Sequence, residues 1–325
     1  MMISYNPKTL NSINSVGYMI TRMCNASCLH CGSKSITKPV EKNFHKTFKS
    51  IFPFLLNHGI KQICFTGGEP FIVLSELKNI MKTAQYYGLT ASVYTNGYWA
   101  TEIEKSIQLL NTLKFSGLES IILSTDRFHT KYIKKERIII ASKAAKASQI
   151  NCQINVNLTN NDWEGLNLYS FMLKYSNVKV NMLKVHPIGR GEYLSKSCFK
   201  YLPLRIEKCN YVGLIEIDHK GIVYSCPTSS DFCPRAPLVL GNILTEKLDE
   251  IFMKFKSSVF HYILSNFGPE GILNILNKFE EIKNKINIEN FNHRCHLCKY
   301  INNHYYKTLQ KFEEIGIEIL TQKFI

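Results

Sequence analysis

Three cysteines stand close together near the start of the chain, as Cys24-x3-Cys28-x2-Cys31. Thiolates at such short spacing hold iron–sulfur clusters, and three of them on one loop suit three irons of a cubane. The fourth iron is then left without a protein ligand, which is what a cluster that binds substrate requires. The alternative is zinc, which in structural sites closes with four ligands, here with His30 as the fourth. Adjacent His30 and Cys31 would compete sterically for one tetrahedral ion. A second set lies far downstream: Cys209, eleven residues, Gly221, four residues, Cys226, and later Cys295-x2-Cys298. Four thiolates from separate segments can close a complete cluster, again with zinc as the alternative. Cys233 sits between these pairs as a spare thiol, a ligand or a hydrogen donor.

Eleven cysteines in 325 residues, gathered into two groups and odd in number, speak for metal in a reducing compartment rather than for a disulfide framework. The opening residues lack a basic region followed by a long apolar stretch, and no run of eighteen apolar residues occurs, so neither a signal nor a membrane span is expected. The expected compartment is the cytoplasm. A net charge of +15 would suit an acidic partner such as nucleic acid or a membrane surface. Only seven of the 40 basic residues are arginine, however, and the longest basic stretch, Lys131–Arg137, reads as the solvated face of a helix. Neither nucleic acid nor membrane is an expected partner.

The elements that must position these groups alternate. Short β-branched runs (VGYMITRM, KQICFT, TASVYT, SIILST, INCQINVNL, VKVNMLKVH) are separated by amphipathic stretches near 44–58, 73–87, 101–115, 130–148 and 162–175. This is an α/β pattern of six strands alternating with five helical stretches, expected to form a partial (β/α)6 TIM-like barrel over residues 15–195 with chemistry at the carboxyl ends of its strands. Each unusual motif follows a strand. The cysteine loop follows the first, Gly67-Gly68-Glu69-Pro70 the second and Asn96-Gly97 the third. Ser124, Asp126 and His129 belong to the end of the fourth, and Pro187-Ile188-Gly189-Arg190-Gly191 follows the sixth. Residues 200–325 form a smaller α+β domain that begins with a hairpin turning at Asp218–Gly221.

The cysteine spacing, with His30 where an aromatic residue usually precedes the last cysteine, resembles the radical S-adenosylmethionine superfamily. The resemblance implies a four-iron cluster on Cys24, Cys28 and Cys31, whose open iron is chelated by the amino and carboxylate groups of S-adenosylmethionine. Reductive cleavage then gives methionine and a 5'-deoxyadenosyl radical that abstracts hydrogen from a substrate. Gly67, Gly68, Glu69 and Pro70 look like the superfamily's segment for the methionine amino group: glycines admit a close backbone and a carboxylate pairs with an ammonium. Ser124 and Asp126 would serve the ribose or the methionine carboxylate, and Asn96 stands where many members carry a Thr-Asn-Gly turn. Arg190 resembles a sixth-strand motif whose guanidinium fork can hold a carboxylate. His129 and His186 are candidate proton donors or acceptors.

The downstream cysteines resemble the Twitch domain, the shorter relative of the SPASM domain, which implies one auxiliary four-iron cluster on Cys209, Cys226, Cys295 and Cys298. A full SPASM domain would continue with further cysteines, but His304 stands at the next such position. The implied substrate is a peptide matured in the manner of ribosomal natural products. Oxidation, epimerisation or dehydration of a sugar- or aminoglycoside-like molecule is the second reading, and a non-catalytic iron–sulfur or zinc protein that binds nucleic acid is the third. Implied partners are a flavodoxin- or ferredoxin-type reductant and a separate peptide-recognition protein. Cys233, Cys198 and Tyr193 are candidate hydrogen donors for an epimerisation.

Overall fold

A computed structural model describes residues 15–37, 51–199, 205–229, 234–291 and 293–312. The chain divides into two units. The first comprises Asn14–Lys200 together with Ile217–Gly221, the second Tyr201–Glu216 and Ile222 onward.

The first unit alternates strand and helix: β1 (Ser15–Thr21), α1 (Phe52–Asn57), β2 (Gln62–Gly67), α2 (Leu74–Tyr86), β3 (Thr90–Thr95), α3 (Ile103–Lys114), β4 (Leu118–Thr125), α4 (Lys135–Ala147), β5 (Asn151–Leu158), α5 (Trp163–Tyr175) and β6 (Lys179–Lys184). The strands lie side by side in chain order and pair in parallel throughout. This is the expected partial barrel, and all six strands fall where the β-branched runs stand. The helices cover one face because their apolar residues recur at helical spacing, as Leu77, Ile80, Met81 and Ala84 do on α2. Against them the strands bury Ile63, Phe65, Val93, Ile121, Leu123, Ile154 and Val156. A further strand, β7 (Glu216–Asp218), is the neighbour of β1 in the sheet, and its turn is set by Asp218, whose Oδ1 accepts from Lys220 N at 2.8 Å.

Helix α4 starts at Lys135 rather than at 130. The intervening residues are spent on turns around the end of β4, with Thr130 N donating to Asp126 O and Tyr132 N to His129 O, both at 2.9 Å. Only the later part of the helix expected at 44–58 lies within the described residues, as α1.

The second unit carries an antiparallel pair, β8 (Ile222–Tyr224) with β9 (Val239–Asn242), and helices α6 (Leu248–Ser257), α7 (Val259–Leu276) and α8 (Arg294–His304). α7 is kinked at Gly268, which has φ +66° and is followed by Pro269. Among the described residues no helix is long and apolar enough to cross a membrane.

Candidate active site

The cysteine loop is closed at its neck by Cys24 N donating to Ile36 O and Ile36 N to Arg22 O, each at 2.8 Å. The end of β2 pins it from one side, where Gly68 N donates to Thr21 O at 2.7 Å and Glu69 N to Met23 O at 2.8 Å. The loop after β6 pins it from another. There Arg190 N donates to Cys31 O (2.9 Å), Arg190 Nε to Cys28 O (2.9 Å) and Nη1 to Ser35 O (2.5 Å). The glycines of both motifs exist for this approach. A Cβ on Gly68 would overlap the Met23 carbonyl oxygen, and one on Gly189, at φ +58°, would lie 2.6 Å from the carbonyl carbon of Gly32.

The three thiols influence one another. Burial pushes Cys24 up to about 11, helped by Glu69 and Cys31 and opposed by the Ala26 amide and Arg190. Burial, Asp126 and the other two thiols push Cys28 up as well. Cys31 is only partly buried, and although desolvation raises it too, hydrogen bonds with Ser33 and Ser35 and the nearby Arg190 hold it below the usual thiol value. Crowded buried thiolates need a positive centre among them, and a thiolate-bound iron cluster is the group that this donor set suits. Two buried nitrogens, Arg190 Nη2 and His30 Nδ1, are without a hydrogen-bond partner here, the first a donor that suits an acceptor group of a bound cofactor.

The acidic residues are occupied by the chain itself. Glu69 is fully buried in the first unit; its Oε1 accepts from Thr95 Oγ1 (2.7 Å) and Phe71 N (3.1 Å), and its Oε2 from Asn96 N (2.7 Å). Burial raises its carboxyl to about 7 against these hydrogen bonds. Asn96 reaches back to the cysteine loop, its Nδ2 donating to Asn25 Oδ1 at 2.9 Å. Asp126 Oδ1 accepts from Phe128 N and His129 N, both at 2.9 Å. Asp126 Oδ2 lies 2.8 Å from His129 Nδ1, 3.1 Å from His30 Nε2 and 3.2 Å from Asn157 Nδ2. Burial would raise this carboxyl, but the two histidines hold it well below the usual range. His30 stacks on Phe128 with centroids 4.7 Å apart. The ligand atoms of Cys28, His30 and His129 lie within 4.8 Å of one another, but both imidazoles are turned onto Asp126.

Pro70 is buried at the start of a 3-10 turn, and Ser124 pairs in register with Asn155 across β4 and β5. Cys198 packs near the cysteine loop, whereas Tyr193 is 78% exposed. Cys233 lies outside the described residues. On β5, Ile154, Val156 and Leu158 are buried, with Leu158 against Gly165 of α5. The alternate residues Gln153, Asn155 and Asn157 therefore line the opposite face. There Asn181 Nδ2 of β6 donates to Asn155 Oδ1 (2.9 Å) and Gln153 Oε1 (3.2 Å), making a ladder of neutral amides. Sequence reasoning missed this ladder, although alternation of amides with aliphatic residues in QINVN was its signal. It also missed the role of Asp126 as the bridge between two imidazoles.

In the second unit Cys209, Cys226, Cys295 and Cys298 come within electrostatic reach of one another. Burial pushes Cys226 up to about 12, with Cys209 adding to it, and raises Cys295, with Cys226 and Cys209 adding. Burial and all three partner thiols raise Cys298. The segments carrying these cysteines are far apart in sequence, and the folding of this unit collects them.

The barrel, its strand-end cysteine loop and the two glycine motifs that hold that loop define the class. Residues 18–172 match the family model of the Radical SAM superfamily. Over this segment the chain carries a radical S-adenosylmethionine domain. The chain is 24% identical over 278 residues to "Putative peptide biosynthesis protein YydG" of Bacillus subtilis (strain 168), covering 82% of this chain and 86% of that one. It is 31% identical over 112 residues to "GTP 3',8-cyclase" of Campylobacter fetus subsp. fetus (strain 82-40), but this match covers only 33% of each chain. In fold it is similar to anSMEcpe with bound AdoMet and Cp18Cys peptide, with a TM-score of 0.55, 14% identity, and coverage of 92% of this chain and 99% of that one.

Proposed function

We propose that this enzyme modifies a peptide, using a catalytic four-iron cluster on Cys24, Cys28 and Cys31 and an auxiliary four-iron cluster on Cys209, Cys226, Cys295 and Cys298 in a Twitch- or SPASM-like second domain. The observation that carries the two-cluster reading is the gathering of four mutually interacting thiols in the second unit, Cys226 buried and Cys209, Cys295 and Cys298 partly buried. The peptide reading is supported by the similarity to YydG, which spans both units, and by the amide ladder of Gln153, Asn155 and Asn181. Neutral amides offer the alternating donors and acceptors that a peptide backbone needs.

A cluster and S-adenosylmethionine bound at the cysteine loop would supply a 5'-deoxyadenosyl radical for hydrogen abstraction. The chain's own residues position them. Arg190 and Gly68 fix the loop, while Glu69 fixes the Asn96 turn beside Cys24. Asp126 orients His30 and His129 next to Cys28. The enzyme would act in the cytoplasm, with a flavodoxin- or ferredoxin-type reductant and a separate peptide-recognition protein.

The test is anaerobic reconstitution with dithionite and S-adenosylmethionine, with and without a panel of short synthetic peptides. The expected result is 5'-deoxyadenosine in every reaction and a mass shift in one peptide. A fully loaded enzyme that changes no peptide of the panel but consumes a sugar or aminoglycoside would overturn the peptide reading.

A further inference from the structure

Outside the catalytic loop, one side chain gathers more main-chain and carboxylate contacts than any local pattern explains. Arg294 opens α8 directly before Cys295. Its Nε lies 2.8 Å and 3.0 Å from the two oxygens of Glu270, and its Nη2 lies 2.7 Å from Glu270 Oε2. The same guanidinium donates to Lys208 O through Nη1 at 3.1 Å and to Glu207 O through Nη2. Those carbonyls immediately precede Cys209, whose own N donates to Leu264 O on α7 at 3.3 Å.

The kink of α7 makes the room. Gly268 has φ +66°, and a Cβ there would overlap Arg294 Nη2 and lie 2.5 Å from Glu207 O and 2.6 Å from Glu270 Oε2. Glycine is thus required twice over at this position, once by conformation and once by space. The following turn of α7 brings Glu270, with a side chain only 3% exposed, against the guanidinium. Three segments remote in sequence are joined at one planar group: the approach to Cys209, the kink of α7 and the start of the helix carrying Cys295 and Cys298. Only a fork of five donors can face a carboxylate and two carbonyls together, so lysine is not an equivalent.

We infer that Arg294, seated by Glu270 in the space left by Gly268, is the positioning residue that sets Cys209 against Cys295 and Cys298, so that the auxiliary site is assembled before iron arrives. The inference rests on the two-cluster reading proposed above.

Three chains, reconstituted anaerobically with iron and sulfide, test it: wild type, Arg294→Lys, and the exchanged pair Arg294→Glu with Glu270→Arg. Iron content and the electron paramagnetic resonance spectrum after reduction are the readouts, with far-ultraviolet circular dichroism to confirm folding. Wild type should hold about eight irons per chain, and Arg294→Lys should fall towards about four with loss of the second cluster's signal. The exchanged pair keeps an ion pair but moves the guanidinium from the start of α8 to α7, so α8 is no longer tied to the carbonyls of 207 and 208, and it should not rescue. Full iron with an unaltered second signal in Arg294→Lys, or rescue by the exchanged pair, overturns the clamp. Should wild type and Cys298→Ala contain the same iron, the two-cluster reading itself falls and the clamp with it, a result distinguishable from failure of the clamp alone.

Discussion

Replacing Gly68 by alanine should cost the enzyme its catalytic cluster while leaving the barrel folded. The backbone of Gly68 is not in the left-handed region, so the penalty is purely one of space. The added Cβ would overlap the Met23 carbonyl oxygen and lie 2.5 Å from its carbon and 2.8 Å from the carbonyl carbon of Arg22. These are main-chain atoms at the neck of the cysteine loop, and no flexible side chain can yield. Relief requires the loop to withdraw, breaking Gly68 N to Thr21 O and Glu69 N to Met23 O. Two net hydrogen bonds are worth about 2 kcal/mol together, and residual overlap adds about 1–3 kcal/mol, for a total of about 3–5 kcal/mol. At about 1.4 kcal/mol per tenfold, the closed loop falls by roughly two to three and a half orders of magnitude in population. Gly59→Ala is the matched control, because Gly59 has φ +71° with nothing within 4 Å of a Cβ, so it carries conformational strain alone, about 1 kcal/mol. The assay is iron per chain and visible absorbance after anaerobic reconstitution, with 5'-deoxyadenosine as the activity readout. A Gly68→Ala enzyme with a full cluster and wild-type cleavage, or a Gly59→Ala enzyme equally depleted, would refute the reasoning.

Arg190→Lys keeps the charge but loses the fork that holds Cys28 O and Ser35 O. Leaving one such carbonyl unpaired costs about 1–3 kcal/mol, so the cluster should be stripped several-fold faster by a chelator, followed as bleaching of its absorbance. Cys28→Ala should abolish formation of 5'-deoxyadenosine, whereas Cys298→Ala should continue to cleave S-adenosylmethionine without product; product analysis of both variants separates the two thiol sites. His261 is buried between Ser258 Oγ and Ser225 Oγ, each at 2.8 Å, and burial depresses its imidazole to about 3 from an ordinary 6.5. The stability this gives the neutral folded form is complete above 6.5 and is lost as pH falls from there towards 3, because only the unfolded chain takes up the proton in that window. Urea unfolding at a series of pH values should show this loss in wild type and a shallower one in His261→Leu; equal slopes would remove His261 from the account.

The barrel was legible because a parallel β/α unit signals locally: a β-branched run, a turn, then an apolar stripe. All six strands of the first unit fall on the runs that suggested them, β3 at Thr90–Thr95 without a shift. The cysteines were legible by spacing, since thiols at short intervals have few other uses. What surrounds them was not. Glu69 reads in sequence as a carboxylate for an ammonium, yet both its oxygens are taken by Thr95, Asn96 and Phe71, contacts that depend on the register of β2 against β3. Asp126 reads as a ligand for ribose or carboxylate, and the chain surrounds it with His30, His129 and Asn157. Arg294 gave no signal at all. Its carboxylate lies 24 residues away and its carbonyls 86 and 87, and no spacing rule reaches across such intervals.

The glycines show most clearly why a chemical motif and its structural cause can differ. In sequence, Gly67-Gly68 suggests a backbone thinned so that a ligand can come near. In the fold, the neighbour that comes near is the chain: Thr21 and Met23 against Gly67 and Gly68, and Cys31 and Gly32 against Gly189. These contacts converge on the cysteine loop from β2 and from the segment after β6, with Arg190 tying the second of them to Cys28 and Ser35. A chain with the same three cysteines but a side chain at 68 or 189 would keep the ligands and lose the surface that holds them in place. The cysteine spacing is therefore only part of the signature. The glycines and the arginine turn a thiol-bearing loop into a rigid site, and rigidity is what would let a cluster held there keep one iron open without the loop folding over to fill it.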